Sequence, residues 1–247
     1  MTDVYGIHAV AAVLQSSPGR VRVVHVQRGR QDPRVQNLIE QAKTARIRVA
    51  FVDKRWLDRM TDGAHQGVAA DCHELALADE ATLVAAWQEM PTPRLLLILD
   101  EVADPRNLGA CLRSAKAAGV HAVVLPKRRS APLNAAALKT AAGAAEGLFI
   151  VEVSNLARRL AWLQDQGVWL IGAASEAQVP WTDADMTSDV ALVIGGEEKG
   201  LRVLTRKYCD QLVQIPLTGD VESLNVSVAT GIMLFEAVRQ RAVATAR

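Results

Sequence analysis

The sequence holds only three cysteines, Cys72, Cys111 and Cys209, and they stand far apart. An odd, scattered set excludes a disulfide framework and a clustered thiolate metal site, so reduced thiols are expected. The five histidines never approach a metal-ligand spacing, and no metal is expected. No apolar run reaches the length of a membrane span, and the opening residues MTDVYGIHAV lack the basic start and apolar stretch of an export signal. A cytoplasmic protein without membrane attachment is the expectation. Neither sign of charge dominates: 28 Lys and Arg face 27 Asp and Glu, for a formal net charge of +1. The chain as a whole therefore does not advertise a polyanion partner. Two glycine signatures are also missing. No GxGxxG follows the first strand of either half, which sets aside a nicotinamide-dependent dehydrogenase, and no phosphate-binding P-loop is present.

What is present suits an α/β protein. With 247 residues, 50% of them hydrophobic, the chain can bury one well-packed core plus a smaller domain. Charge is uneven, since residues 1–76 carry 11 basic against 8 acidic residues while the remainder carries 17 against 19. That asymmetry hints that the first part touches something acidic. Its pattern predicts helices over about 5–17, 33–44 and 54–60, with strands at 21–29, 46–52 and 68–72. Arg20, Arg22, Arg28, Arg30 and Arg34 gather near the turn after the first predicted strand, either as a solubilising rim or as contacts for a phosphate backbone. His65 lies in the loop TDGAHQG with no acid beside it in sequence, so a turn-forming use is expected. Residues 77–93 read as a junction holding one helix and a stiff PTPR segment, with domains at 1–76 and 94–247.

Beyond the junction, Leu95 to Leu99 run without alternation into Asp100, as in a central parallel strand. Asp104 and Pro105 start the next helix, on which Gly109 and Arg113 lie one turn apart. From this segment alone Arg113 is either a solvated or subunit-contact residue or the arginine of a phosphate or ribose site. Lys127, Arg128 and Arg129 follow the strand Ala122 to Leu125, at the end where open α/β sheets bind ligands. The alanine-rich stretch after them is expected to pack against protein. Gly172, Ala173 and Ala174 end another strand, and GGEEKG, beginning at Gly195, follows the buried run Ala191 to Ile194. Glycines there permit a turn or close ligand approach. In the final helix Leu224, Val228, Ile232, Phe235 and Val238 are spaced to bury one face, partly against another subunit, and Ser223 or Asn225 could cap it.

Three blocks, Asp104 to Ala118, Gly195 to Arg202 and Ile215 to Glu236, closely resemble the three motifs of the SpoU family of RNA ribose 2'-O-methyltransferases. The match rests on Asn107, Gly109 and Arg113, on Gly195, Glu197 and Gly200, and on Ser223, Leu224, Asn225 and Ser227. YGIHAV and HQG extend it into the front domain. The whole chain resembles the bacterial members that methylate a guanosine ribose in the peptidyl-transferase loop of 23S rRNA. That resemblance implies an L30e-like RNA-binding domain at 1–76, a linker at 77–93, and a parallel-sheet catalytic domain at 94–247 tied in a trefoil knot. Physics alone would argue against the knot. It also implies a homodimer acting on 23S rRNA or the pre-ribosomal large subunit.

By the same resemblance, S-adenosylmethionine would be held largely by backbone at Gly172, Ala173, Ile194, Gly195, Gly196, Glu197, Gly200, Ile215, Pro216, Leu217, Ser223, Leu224 and Asn225. Arg113 would meet the neighbouring phosphate and the charge growing on the hydroxyl oxygen, since guanidinium is a poor base. Asn107 would orient the ribose or Arg113, Ser223 and Asn225 would complete the pocket, and Glu197 would support it. A relative acting on another rRNA or tRNA site, or an inactive ribosome-assembly factor, fits the same motifs. One departure stands out: Glu198 occupies a position where the family usually has glycine. Positive φ there would strain the chain, whereas an outward side chain would be tolerated, and tolerance is expected.

Overall fold

A computed structural model describes residues 2–61 and 64–245. In chain order the elements are β1 (Thr2–Tyr5), α1 (Ile7–Ser16), β2 (Val21–Gln27), α2 (Pro33–Thr44), β3 (Arg48–Val52), α3 (Lys54–Met60), β4 (Val68–Cys72), α4 (Glu80–Ala86), β5 (Leu95–Asp100) and α5 (Pro105–Ala117). They continue with β6 (Ala122–Pro126), α6 (Ala135–Ala141), β7 (Ile150–Val153), α7 (Leu156–Asp165), β8 (Trp169–Ala173), β9 (Val179–Pro180), β10 (Val190–Gly195), α8 (Val203–Tyr208), β11 (Gln211–Gln214) and α9 (Val226–Thr245).

Two units emerge from the contacts. The first joins the chain up to Ala76 with Leu133–Gly147, and the second joins Leu77–Pro132 with Leu148–Arg247. The first unit's sheet runs β1-β4-β2-β3, with β1 and β2 antiparallel to β4, and β3 parallel to β2. Val10, Val13, Val24, Val26 and Leu38 fill its core. A register shift between Val21 and Val23 lets two successive valines, Val23 and Val24, interrupt the alternation of β2. Strand β1, not foreseen, is a short edge strand ended by Gly6 at φ 94.

Side chains in this unit modify the expectations. Arg20 is not an exposed rim residue, because its side chain is 12% exposed and paired with Glu146. Arg30 and Arg34 both face Asp32, and Arg22 faces Asp71 at 3.4 Å. His65 does find an acid, seven residues back on α3. Its Nδ1 accepts from Gly67 N at 2.9 Å, so Nε2 carries the hydrogen that meets Asp58 Oδ1 at 2.9 Å. Asp62 and Gly63 of the same loop lie outside the described residues.

The second unit is a seven-stranded sheet in the order β7-β6-β5-β10-β8-β11-β9, every pairing parallel. The inner strands β6, β5 and β10 are buried along all their residues, as helices on both faces require. Residues 77–93 are not a linker. Leu83 and Trp87 sit in the core with Leu96, Val151 and Leu160, and Ala78 bridges to Val151 at the sheet edge. Trp162 meets Trp87 edge to face at 5.2 Å. The last helix also differs from expectation. Its inward face is Val226, Thr230, Met233, Leu234 and Ala237, whereas Val228 and Phe235 are 49% and 50% exposed.

Candidate functional site

The site starts from a helix cap. Asp104 Oδ1 accepts from the backbone N–H of Arg106 at 2.6 Å and of Asn107 at 3.2 Å, and Pro105 occupies the position that needs no donor. This fixes Asn107 in the first turn of α5. Its Nδ2 donates to Glu197 Oε1 at 2.7 Å, across 90 residues of chain. Its Oδ1 accepts from Asn225 Nδ2 at 3.0 Å, across 118 residues. Asn225 Oδ1 in turn accepts from the backbone N–H and the hydroxyl of Ser227, at 2.9 and 2.6 Å, and so caps α9. Glu197 Oε2 accepts from Ala103 N at 3.3 Å. One line of polar side chains thus ties the three blocks together.

The glycines after β10 are required by backbone rather than by an approaching ligand. A Cβ on Gly195 would lie 2.0 Å from the carbonyl carbon of Gly200, and one on Gly196 would lie 2.3 Å from the carbonyl oxygen of Glu101. Gly200 itself has φ 60 and donates its N–H to Gly196 O at 3.0 Å. Glu198 is absent from the non-glycine residues with positive φ among those described, so its side chain is carried without backbone strain.

Asp100, the residue that ends β5, holds the far side of this loop. Fully buried, it accepts from Arg202 Nε at 2.7 Å, from Arg202 Nη2 at 2.6 Å and from Arg202 N at 3.2 Å. A charge can be buried so deeply because its partner is a fork that supplies several charge-assisted bonds. The acid was visible as the residue that halts an apolar run, but nothing local pointed to Arg202.

At the C-terminal ends of β8, β10 and β11 these segments enclose a cavity of about 430 Å³. Of the predicted cofactor residues, Ala173, Ile194, Gly195, Gly196, Glu197, Gly200, Ile215, Leu217, Ser223 and Leu224 line it. Gly172, Pro216 and Asn225 do not. Gly172 is glycine because a Cβ there would lie 2.7 Å from Cys209 Sγ and 2.8 Å from Leu201 and Leu212 side-chain carbons, which makes it a packing residue. Arg113 is exposed on α5 and is not among the lining residues. Sequence reasoning missed Glu176 and Arg206, which pair with each other at the cavity wall. Among the described residues no group of three or more His, Cys, Asp or Glu could hold a metal ion, and no helix is long and apolar enough to cross a membrane.

Residues 94–235 match the model of the SpoU rRNA Methylase family, and residues 4–78 match the model described as RNA 2'-O ribose methyltransferase substrate binding. The 23S rRNA (guanosine-2'-O-)-methyltransferase RlmB of Coxiella burnetii is 49% identical over 97% of this chain and 96% of its own. Its namesake from Escherichia coli K12 is 49% identical over 96% and 98%. Among solved structures, the SpoU methyltransferase AviRb of Streptomyces viridochromogenes, in complex with AdoMet, shares the fold at a TM-score of 0.81 and 24% identity, covering 98% of this chain and 90% of that one.

Proposed function

This chain belongs to the SpoU rRNA Methylase family, and from that premise we propose that it transfers a methyl group from S-adenosylmethionine to the ribose 2'-hydroxyl of a guanosine in 23S rRNA. The observation that carries the reading is the line Glu197–Asn107–Asn225, which ties three distant motifs to the rim of one cavity. At about 430 Å³ that cavity falls within the range of small-molecule sites. Its wall suits a zwitterionic nucleoside ligand, with apolar Ile194, Ile215 and Leu217, backbone around Gly195 and Gly196, and both signs of charge in Glu176 and Arg206. When bound, S-adenosylmethionine supplies an electrophilic methyl carbon.

The chain's own residues do the positioning. Ile194 to Gly200 and Ile215 to Leu217 hold the cofactor, and Ser223 closes the polar side. Asn107, fixed at both ends of its amide, orients the ribose. Arg113 holds the adjacent phosphate with its fork and balances negative charge on the hydroxyl oxygen, keeping its own proton. Such alignment of two reactants supplies a large part of the acceleration. The protein works in the cytoplasm as a homodimer on 23S rRNA or the pre-ribosomal large subunit, and its C-terminal unit is a trefoil knot. The exposed apolar residues Val228 and Phe235 of α9 support the homodimer.

The test is methyl transfer from labelled S-adenosylmethionine to a 23S rRNA fragment, with the product nucleotide mapped. Arg113→Ala is expected to lose most turnover while cofactor binding, read by calorimetry, persists. Unchanged turnover would remove Arg113 from the mechanism, and a label mapped to tRNA or another rRNA site would reassign the substrate.

A further inference from the structure

The basic run Lys127, Arg128 and Arg129 has no part in the cavity described above. It follows β6 directly, within the second unit, and all three residues are exposed. Neither Lys127 nor Arg128 has a side-chain partner among the described residues. Their backbone is nonetheless held at both ends of the loop. Lys127 N donates to Val153 O at 2.9 Å on the β7 side, and Ala131 N donates to Val102 O at 2.7 Å on the β5 side. Val102 stands between the end of β5 and Asp104, the cap residue that fixes Asn107. The basic loop therefore lies against the turn that places the residue assigned to the ribose.

Arg129 gives the loop an unusual shape. Its φ is 65, its side chain is 74% exposed, and its Nη1 donates to Glu101 Oε1 at 3.3 Å. Glu101 also has positive φ, at 66, and its carboxylate faces Arg202 Nη1 at 3.5 Å as well. One ion pair this exposed stabilises by less than a left-handed non-glycine residue costs, so the pairing alone does not explain the conformation. Backbone strain of this kind collects where a chain meets a ligand. The same contacts fix the sign of the surface. Glu101 is shared between two arginines, and Asp104 is turned to the N–H groups of Arg106 and Asn107. Lys127 and Arg128 keep their charges uncompensated, and Arg106 adds another exposed cation in the first turn of α5.

Unpartnered charges of one sign, on a fixed loop beside a ribose site, suit a ligand that carries negative charge at regular intervals. A nucleic-acid strand does so, and its phosphates are held by such side chains without regard to sequence. The arginine fork matches phosphate oxygens, and lysine serves as a point charge. We propose that Lys127 and Arg128 hold phosphates of the RNA strand that flanks the methylated nucleotide, on a loop shaped by Arg129 and Glu101. The strand then runs across the ends of β5 and β6, while the cofactor occupies the cavity at β8, β10 and β11. The inference rests on the reading of this chain as an RNA ribose methyltransferase and extends its substrate contact beyond the reacting nucleotide.

The test is binding of the full chain to a 23S rRNA fragment over a range of salt concentrations. Lys127→Ala and Arg128→Ala should each lower the slope of log affinity against log salt by about 0.7, which is about fivefold in affinity near ~0.1 M salt. Arg128→Lys should restore the slope, because charge is what the contact uses. Lys207→Ala removes an exposed cation in the last turn of α8, away from the loop, and should leave the slope as it was. S-adenosylmethionine binding by calorimetry should be the same in all four variants. An unchanged slope in both alanine variants of the loop, or an equal fall in Lys207→Ala, overturns the proposal. None of these readouts requires turnover. A lowered slope in a protein that methylates a different RNA would leave the phosphate contacts standing and fault the assigned substrate instead.

Discussion

At the scale of single residues, the loop after β10 separates two reasons for glycine. Gly196 faces the Glu101 carbonyl so closely that any side chain must displace backbone, whereas Glu198 occupies its place without positive φ. Gly196→Ala is therefore expected to cost about 1–3 kcal/mol of stability as an overpacked contact and to weaken S-adenosylmethionine binding, because the cavity wall must shift. Glu198→Gly should leave cofactor affinity unchanged. Titration calorimetry on the two variants checks both, and tighter binding in Glu198→Gly would show that the departure from the family pattern carries a cost after all. The sequence made Gly196 conspicuous but not its purpose, since the carbonyl that most closely excludes a side chain belongs to Glu101, just after β5 and nearly a hundred residues earlier in the chain. Asn107, Glu197 and Asn225 were legible as motif members. Their hydrogen-bond order was not, because it depends on where three loops end in space.

At the scale of elements, α4 shows how a segment read as a junction becomes part of a core. Burial raises the pKa of Glu80, but hydrogen bonds from the Ser154 hydroxyl and N–H and from Arg158 and Arg159 outweigh it and hold the carboxyl down at about 2. The carboxylate thereby ties α4 to the end of β7 and the start of α7, with contacts of 2.7 to 3.0 Å. A depressed folded-state pKa contributes stability that is complete above the unfolded value of about 4.5 and is lost as pH falls toward about 2. Glu80→Gln is thus expected to lower stability by about 2 kcal/mol at neutral pH, with the gap from the unaltered protein closing between those two values. Denaturation followed at several pH values measures it, and a constant gap would show that charge is not what holds the element. Sequence reading failed here because the partners of Glu80 lie more than seventy residues away, while Leu83 and Trp87 alone do not distinguish a packed helix from a short connecting one. It failed differently on α9. That helix carries apolar residues nearly all round, so two faces have helical spacing and periodicity cannot choose between them.

At the scale of the whole molecule, the strand order of the large sheet was the least legible feature. β10 lies between β5 and β8, so the chain's second block arrives beside its first only after several crossovers, and no local pattern encodes that insertion. The same topology leaves the outer face of α9 uncovered in a single chain, with Val228 and Phe235 each about half exposed. Apolar residues of this size along one helix face are what an interface between copies needs. Arg113, assigned to the reaction, stands on α5 but does not line the cavity of its own chain. Both facts have one resolution if a second copy covers α9 and the working site is completed across the pair. Phe235→Glu places a charge in that contact and is expected to convert a dimer into a monomer in sedimentation. Because the substitution points away from the inward face of α9, the monomer should still fold and bind S-adenosylmethionine, yet lose most methyl transfer. A monomeric variant with full turnover would show that one chain holds a complete site, and Arg113 would then need a different role.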